Sequence, residues 1–366
     1  MIPLRDLLPI LTLNDGSAVT PENWPVRRKE MLDALSVYSY GYTPALPVRV
    51  QGDIEAEDAH EFGNKIVYQK VRLSIENEKG VFAFPVYLYI PRHVKKPPVF
   101  LHPAFRVGIP SGTPPLRYTP AEEITDAGYA LALIDFEDMV NDRGHGDFTD
   151  GLAAFFGTSV NRAADEWGKI GMWAYGLSRV LDYLLTRDDL DAMHTAVIGQ
   201  SRMGKAALWA GAQDERFYCT IANNSGYGGA ATSKGGHGER VRDFLDAGSW
   251  DWYCENFKLF TDEKEDKKPY DQAWLLALIA PRLLCVGSGV EDKGADPESE
   301  FLTTNWASQA WDMLGAKGLI TPDRMPVPGD VLHDGSVGYH LRPGGHFLTR
   351  QDWHYYIEFL NKKLGR

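Results

Sequence analysis

A serine at a sharp strand-to-helix turn is the feature that most constrains the fold of this chain. The short apolar strand Ala196-Val-Ile198 runs into Gly199, Ser201 and Gly204, and the helix-forming segment Lys205-Ala-Ala-Leu-Trp209 follows. Such a turn forces strained backbone angles on the serine and brings neighbouring chain close, so small residues must flank it. The sequence therefore predicts a strand, a tight turn and a helix whose N-terminal N–H groups point towards the hydroxyl of Ser201.

This layout resembles the nucleophile elbow of α/β-hydrolases, in which an exposed serine follows a buried strand. The usual pattern is G-x-S-x-G. Here the second glycine comes one residue late, because Arg202 and Met203 stand between Ser201 and Gly204. By itself the pattern also fits an ordinary strand-to-helix turn, so its interpretation depends on the rest of the chain.

Strand and helix patterns alternate along most of the sequence. An antiparallel hairpin is predicted from strands 65–75 and 81–90, with a turn at 77–80 between them. Further strands are predicted at 99–101, 129–135, 195–199, 219–222, 282–287 and 338–341, and helices at 166–185, 204–212, 272–280 and 350–364. Short apolar strands that alternate with helices imply a mixed, mostly parallel sheet with helices on both faces, a three-layer sandwich of α/β-hydrolase type.

We predict a single domain for the 366 residues, because α/β enzymes often reach this length as one unit and no repeat or linker divides the chain. A helical extension is expected at about 1–45, with a helix at 21–40 that a proline starts. Residues 227–270 hold many Gly, Trp and charged residues and little periodicity. They are interpreted as an insertion over the site.

Charge and hydropathy exclude several kinds of partner. The net charge of −12 argues against nucleic acid, since binding phosphates needs clustered Lys and Arg. No apolar run approaches the ~20 residues that span a bilayer, so no membrane partner is expected. The mildly apolar start is interrupted by Arg5, Asp6 and Pro9, so we predict no signal peptide and a cytoplasmic location.

The cysteines predict neither a disulfide framework nor a metal site. Cys219, Cys254 and Cys285 are scattered, odd in number and without metal-ligand spacing. They fit buried free thiols in a reducing compartment.

A nucleophilic serine needs a base, which in this fold follows the last strand. Four of the ten histidines lie in that region: His333, His340, His346 and His354. His340 falls within the predicted strand 338–341, and His354 falls within the terminal helix. His346 lies in a glycine-rich loop before the helix that Thr349 would cap, so it has the freedom to reach the elbow. We predict His346 as the base.

The acid of a triad is usually found after the strand that precedes the last one. The segment after strand 282–287 holds Glu291, Asp292 and Asp296. Asp292 is our choice, and Glu291 and Asp296 remain alternatives. A second possible place, after strand 219–222, reads Asn-Asn-Ser-Gly at 223–226 and holds no carboxylate.

With these residues identified, the chain resembles the glucuronoyl esterases, carbohydrate esterase family 15. The similarity covers most of the chain from about residue 20 onward, and G-x-S-R-x-G-K is far more specific than a generic elbow. It also accounts for the late second glycine. The matching segments are Trp24-Pro-Val-Arg-Arg28, 167–183, Gly199-Gln-Ser-Arg-Met-Gly-Lys205, 208–217, Asn224-Ser-Gly226 with Gly228-Gly229, Ala277-Leu-Ile-Ala-Pro-Arg282, 338–346 and Asp352-Trp353.

The resemblance implies a role for each site residue and no cofactor. Ser201 would be the nucleophile, His346 the base and Arg202 an oxyanion donor through its N–H and guanidinium groups. Lys205 would contact sugar oxygens. Glu239 and Trp252 would also contact the sugar. The implied reaction is hydrolysis of the ester between a 4-O-methyl-glucuronic acid carboxyl and an alcohol, in nature a lignin-like one.

Two positions depart from the family pattern. Many members carry a glutamate at the position of Asn224 as the triad acid, while others use the later strand, where Asp292 would serve. The family also often stacks a tryptophan on the uronate, and here the match falls near Lys293 or Gly294. Trp250 or Trp252, in the predicted insertion, would have to substitute.

The sequence therefore favours a serine carboxylesterase that acts on a small or oligomeric uronic acid ester through an acyl-enzyme. Backbone N–H groups of loop 102–108 are expected to help Arg202 hold the oxyanion. The missing tryptophan leaves a carbohydrate acetyl esterase or another uronate methylesterase as an alternative. Asn224 leaves a third, a non-catalytic carbohydrate-binding relative.

Overall fold

The computed structural model of the protein describes residues 2–3, 5–106, 113–116 and 118–366. Its strands are β1 Arg49–Asp58, β2 Ile66–Asn77, β3 Gly80–Pro91, β4 Pro98–Ala104, β5 Ala130–Asp135, β6 Asp191–Gln200, β7 Cys219–Asn223, β8 Leu283–Gly289, β9 Val331–Leu332 and β10 Val337–Arg342. Its helices are α1 Trp24–Leu35, α2 Glu61–Asn64, α3 Ala121–Asp126, α4 Gly151–Phe156, α5 Lys169–Leu184, α6 Arg202–Gln213, α7 Val241–Asp246, α8 Gln272–Ala277, α9 Pro297–Ala307, α10 Gln309–Met313 and α11 Arg350–Leu364.

The described strands form one sheet in the order β1-β2-β3-β5-β4-β6-β7-β8-β10-β9. The six strands from β5 to β10 in this order run parallel, whereas β1, β2 and β3 pair antiparallel at one edge and β9 does so at the other. The carboxyl ends of the parallel strands therefore all lie on one side of the sheet, at the ends of the strands, which is where an α/β sheet carries its site.

Hydrophobic clusters cover both faces of the sheet. Neighbouring residues of a strand point to opposite faces, so Leu101 of β4 packs in one cluster and Phe100 in the other. Helices α5, α6 and α8 contribute to the first cluster, and α3 and α11 contribute to the second. The predicted three-layer α/β-hydrolase sandwich is confirmed.

The antiparallel edge has one strand more than the sequence predicted, because β1 precedes the hairpin of β2 and β3. In β1 every residue is exposed or half-buried, and the strand is rich in Asp and Glu. It therefore lacks the apolar alternation by which a strand is recognised. The other elements that the sequence did not predict are short, with six residues or fewer, except for the eleven-residue α9: they are β9, α2, α3, α4, α7, α9 and α10.

Residues 227–270 contain α7 and three 3₁₀ segments, Ser249–Trp252, Glu255–Phe260 and Asp262–Lys267. In the N-terminal part, α1 begins at Trp24 with Pro25 in its first turn, and a π-helical segment, Ser36–Tyr40, continues it. The division into one domain with an extension and an insertion stays a prediction. None of the helices in the described ranges is both long and apolar enough to cross a bilayer.

Candidate active site

Ser201 occupies a strained turn between β6 and α6. Its φ is +57° and its ψ is −129°, values that non-glycine residues rarely adopt. A Cβ atom on Gly199 would lie 2.0 Å from the carbonyl oxygen of Met203, and one on Gly204 would lie 2.9 Å from Cβ of Ser225. The close approach therefore requires both glycines. The N–H groups of Gly204 and Lys205 donate to the carbonyl of Ser201.

His346 and Asp292 form a short hydrogen bond at the carboxyl ends of β8 and β10. Nδ1 of His346 lies 2.6 Å from Oδ2 of Asp292. Asp292 is buried, whereas the side chain of His346 is 47% exposed and lines a cleft with Ser201 and Arg202. Burial alone would raise the pKa of Asp292, but hydrogen bonds from His346 and Asn224 outweigh it and hold that pKa below its usual value. The carboxylate is therefore charged and oriented towards the imidazole.

The two alternative acids lie elsewhere. Asp296 caps α9, since its Oδ1 accepts from the N–H of Ser299 at 3.0 Å, and its Oδ2 accepts from the N–H of His237 at 2.6 Å. Glu291 is exposed. Of the three carboxylates, Asp292 is the one that is hydrogen-bonded to His346.

The guanidinium group of Arg202 is held from two sides. It forms an ion pair with Asp142, and its central carbon lies 4.7 Å from the centre of the Trp252 ring. The second oxygen of Asp142 accepts from Nε1 of Trp252 at 2.7 Å. Trp252 is therefore buried against the guanidinium group of Arg202 and hydrogen-bonded to Asp142. The direct sugar contact predicted for Trp252 stays a prediction.

Lys205 lies one turn into α6, and Glu239, from the segment 227–270, lies beside it. Nζ of Lys205 donates to the carbonyl of Ser225 at 2.7 Å and lies 3.6 Å from Oε2 of Glu239. Burial lowers the pKa of Lys205, while the carboxylate of Glu239 opposes that shift. Lys205 is buried and Glu239 is 40% exposed, so the pair presents its carboxylate outwards.

The expected backbone donors of loop 102–108 are described only in part. Phe105 lines the cleft beside Ser201, and Nδ1 of His102 lies 3.0 Å from the carbonyl oxygen of Ile198. Residues 107 and 108 of that loop lie outside the described residues. The N–H of Arg202, at the first position of α6, has no acceptor within the helix. Its role as an oxyanion donor stays a prediction.

Comparison with known proteins identifies the family. Residues 116–315 match the family model described as glucuronyl esterase, fungi. A carbohydrate esterase, MZ0003, from an unknown prokaryotic organism is 34% identical over 404 residues, which cover 99% of this chain and 90% of that protein. The chain belongs to the glucuronoyl esterase family, carbohydrate esterase family 15. The resemblance stated from the sequence is thereby confirmed, as is the prediction of a carboxylic ester hydrolase.

Further relatives agree with this family. A glucuronoyl esterase structure from Solibacter usitatus superposes with a TM-score of 0.87 at 32% identity, over 98% of this chain and 97% of that one. A 4-O-methyl-glucuronoyl methylesterase of Schizophyllum commune is 26% identical and covers 83% of this chain and 72% of its own length.

Asn224 lies beside Asp292, the predicted acid, and is hydrogen-bonded to it. Its Nδ2 donates to Oδ2 of Asp292 at 2.6 Å, the same oxygen that His346 contacts. Its own φ is +46°, and its N–H donates to the carbonyl of Gly287 at 2.8 Å. The position that carries a glutamate in many glucuronoyl esterases therefore carries an amide that supports Asp292 here.

Arg342 is a residue of this site that sequence reasoning missed. Its guanidinium donates to the carbonyls of Pro343, Gly345 and Phe347, which surround His346, and to Oδ1 of Asn224 at 3.4 Å. Its Nε donates to Asp352 at 2.7 Å. A guanidinium group carries five N–H donors in a fixed planar arrangement, so it can bind this many acceptors at once. The buried Arg342 thus connects the loop of His346 with Asn224, the residue that donates to Asp292.

Replacing Arg342 with lysine is expected to lower kcat about 100-fold, because a point-charge donor cannot hold several carbonyls and a shift of ~1 Å in His346 costs about that much. Reaction of Ser201 with a fluorophosphonate should slow in parallel. Arg282→Lys is the matched control, because Arg282 also binds four carbonyls but lies at the start of β8, away from the site. If both variants lose stability alike and neither loses kcat, Arg342 has only a structural role.

Glu300 forms buried hydrogen bonds to the segments that follow β7 and end β8, next to Asn224. Its carboxylate accepts from the hydroxyls of Ser288 and Ser225 at 2.6 and 3.1 Å and from the N–H of Gly226 at 2.9 Å. The side chain is completely buried, and this burial raises the pKa of Glu300 to about 7.

This pKa predicts a pH-dependent stability. The folded pKa exceeds the unfolded value, so the contribution of Glu300 is fully present below pH 4.5 and is lost as the pH rises towards 7. The difference between 4.5 and about 7 corresponds to about 3 kcal/mol. Urea unfolding at pH 4.5 and 7.5 should therefore show a larger loss of stability for the wild type than for Glu300→Gln. Equal losses in the two proteins would contradict the assignment.

The three cysteines are free and buried, as the sequence predicted. Cys285 also lies near two histidines: one donor atom each of Cys285, His333 and His340 falls within 4.8 Å of the others. Nε2 of His340 is hydrogen-bonded to Asp352 at 2.9 Å. This buried group is not part of the cleft that Ser201 and His346 line, and the expectation that catalysis needs no metal stays a prediction.

Proposed function

We propose that this protein hydrolyses the ester of a 4-O-methyl-glucuronoyl group, or of a closely related uronic acid, through an acyl-enzyme on Ser201. The proposal is supported above all by the hydrogen bond between His346 and Asp292, because it orients an imidazole in the cleft that also contains Ser201 and Arg202. Family membership adds the substrate class, since relatives are named glucuronoyl esterases and 4-O-methyl-glucuronoyl methylesterases.

In the first half-reaction the hydroxyl oxygen of Ser201 attacks the ester carbonyl while Nε2 of His346 takes the hydroxyl proton. Asp292 compensates the charge of the resulting imidazolium. The tetrahedral oxyanion is held by the N–H and guanidinium groups of Arg202, a fixed cation whose place is set before the substrate arrives. His346 then gives its proton to the alcohol oxygen, the C–O bond breaks, and the alcohol leaves.

In the second half-reaction water replaces the alcohol. His346 takes a proton from the water, the hydroxide attacks the acyl carbon, and the proton returns to Ser201 as the uronic acid leaves. Lys205, one turn after Ser201 in α6, and Glu239 beside it bind the hydroxyl groups of the sugar, as the resemblance implies. Both half-reactions use the same oxyanion site.

A substrate panel tests this proposal directly. Methyl and benzyl esters of glucuronic acid and of 4-O-methyl-glucuronic acid should be hydrolysed with kcat/KM at least tenfold above that for acetylated sugars. A fluorophosphonate should label Ser201 at an ordinary rate. Failure of the label would favour the third hypothesis, a binding protein without activity.

A carbohydrate acetyl esterase is the second candidate, favoured by one observation. The loop that carries a tryptophan in many relatives has exposed Lys293 and Gly294 here, and Trp252 is engaged by Arg202 and Asp142. A uronate would then lack its stacking surface. Faster hydrolysis of acetylated sugars than of glucuronate esters in the same panel would establish this activity instead.

A further inference from the structure

Cys285, His333 and His340 come together in the interior of the protein, towards the β9 edge of the sheet. Cys285 belongs to β8, His340 belongs to β10, and His333 directly follows β9. One ligand atom from each side chain lies within 4.8 Å of the other two, and Sγ of Cys285 is 3.6 Å from Nε2 of His333. All three side chains are buried. They are not among the described residues that line the catalytic cleft, so the ester chemistry does not explain this group.

Two glycines leave space around these side chains. In the parallel pairing of β8 with β10, Gly338 lies opposite Cys285 and Gly287 lies opposite His340. A Cβ atom on Gly338 would lie 3.0 Å from Sγ of Cys285 and 3.1 Å from Cδ2 of His333. A Cβ atom on Gly287 would lie 2.5 Å from Nε2 of His340. A larger residue at either position would therefore displace the thiol or an imidazole group.

His340 is oriented in the manner of a metal-bound histidine. Its Nε2 lies 2.9 Å from Oδ1 of Asp352, and both side chains are completely buried. Because a carboxylate accepts hydrogen bonds, Nε2 carries the proton and Nδ1 carries a lone pair. Within the part of the chain that the structure describes, Nδ1 of His340 is buried and has no hydrogen-bond partner. Such a buried lone pair is unfavourable, and a carboxylate on the other ring nitrogen is the usual support of a metal-binding histidine.

We propose that Cys285, His333 and His340 form a zinc site, with Sγ, Nε2 and Nδ1 as the ligand atoms. A tetrahedral zinc ion with Zn–S of about 2.3 Å and Zn–N of about 2.0 Å places sulfur and nitrogen about 3.5 Å apart. The observed separation of Sγ and Nε2 is 3.6 Å. A thiolate with two imidazoles is a ligand set that suits zinc, and three protein ligands leave the fourth position to a water molecule.

Zinc binding exchanges one bond for another at the sulfur of Cys285. The S–H bond breaks, its proton passes to the solvent, and the thiolate binds the ion with no change of oxidation state, while both imidazoles bind as neutral ligands. The ion then joins β8, β10 and the chain after β9. Strand β9 has only two residues, so strand pairing at this edge of the sheet is short. The site is therefore structural, and it does not depend on the proposed esterase function.

Metal binding can be measured on the full chain after unfolding in urea and refolding under reducing conditions with Zn²⁺ or Co²⁺. The refolded and dialysed protein should retain about one equivalent of zinc per chain, and its Tm should rise with the zinc concentration. Zinc itself has no visible spectrum because its d shell is full. Cobalt in the same site should give a thiolate-to-metal charge-transfer band together with the visible bands of a tetrahedral ion.

Two variants and a matched control identify the ligands. Cys285→Ala should abolish the charge-transfer band, and His333→Gln should weaken cobalt binding at least about tenfold, the lower limit for losses of supporting groups around a metal. Cys254→Ala is the control. Cys254 is also a buried free cysteine, but its Sγ lies 3.4 Å from the carbonyl oxygen of Val37 and it does not belong to this group. Cys254→Ala should therefore bind zinc and cobalt as the wild type does.

The spectrum and the metal content separate a zinc site from three side chains that merely pack together. Wild-type protein that refolds with less than about a tenth of an equivalent of zinc and without the band would overturn the proposal. A band of equal strength in Cys285→Ala and Cys254→Ala would overturn it as well, because the thiolate would then come from elsewhere. If Cys285→Ala does not refold, His333→Gln decides, and wild-type cobalt affinity in that variant would exclude the site.

Discussion

Replacing Ser201 with alanine is expected to abolish ester hydrolysis, with kcat reduced on the order of 10⁵-fold or more. Ser201 carries the aliphatic hydroxyl among the described residues that line this cleft, and the loss of a serine nucleophile alone costs about as much as the loss of a whole triad. Oxyanion stabilisation by Arg202 would still leave a residual rate above that in water. The measurement is single-turnover and steady-state hydrolysis of benzyl glucuronate.

The control must keep the fold and change only a hydroxyl. Ser159→Ala removes an exposed hydroxyl from a loop that does not line the cleft, so its activity should equal that of the wild type. Thermal unfolding should be similar for Ser201→Ala, because alanine occupies the same strained backbone angles. Hydrolysis by Ser201→Ala at the wild-type rate would exclude the proposed mechanism altogether.

Local patterns made the elbow and the loop of His346 predictable. The strand, the two glycines and the helix around Ser201 lie within 17 residues, so their spacing alone specifies the turn. His346 could be selected because it lies in a glycine-rich loop, whereas His340 falls inside a strand and His354 inside a helix. The parallel sheet followed from apolar strands alternating with helices, whereas exposed β1 gave no such signal.

Roles that depend on distant contacts could not be read from the sequence. Arg342 contacts Asn224 across 118 residues, and nothing in its local pattern distinguishes it from a surface arginine. Trp252 lies against Arg202 only because residues 227–270 fold back on the elbow. Asp292 was one of three carboxylates in six residues, and only their hydrogen bonds distinguish them. Asp292 is hydrogen-bonded to His346, whereas Asp296 caps α9.

Replacing Asp292 with asparagine is expected to reduce kcat about 10³- to 10⁴-fold, because an amide neither fixes the tautomer of His346 nor balances the imidazolium. Asn224→Ala should cost less than about tenfold, since Asp292 keeps its bond to His346 and the N–H of Ala295, which lies 3.2 Å from its Oδ1. Measured on benzyl glucuronate, equal losses in the two variants would refute the choice of Asp292 as the acid.

A double variant tests whether a carboxylate at position 224 can replace the one at position 292. Asn224 and His346 both contact the same oxygen of Asp292, so a glutamate at 224 lies within reach of the same imidazole. Asp292→Asn combined with Asn224→Glu should therefore regain at least about tenfold of the activity that Asp292→Asn loses, since the negative charge beside His346 is restored from the other strand. Arg342, which contacts Asn224, would face the new carboxylate and favour its charged form. Activity no higher than that of Asp292→Asn would mean that the imidazole accepts a carboxylate only from the loop after β8.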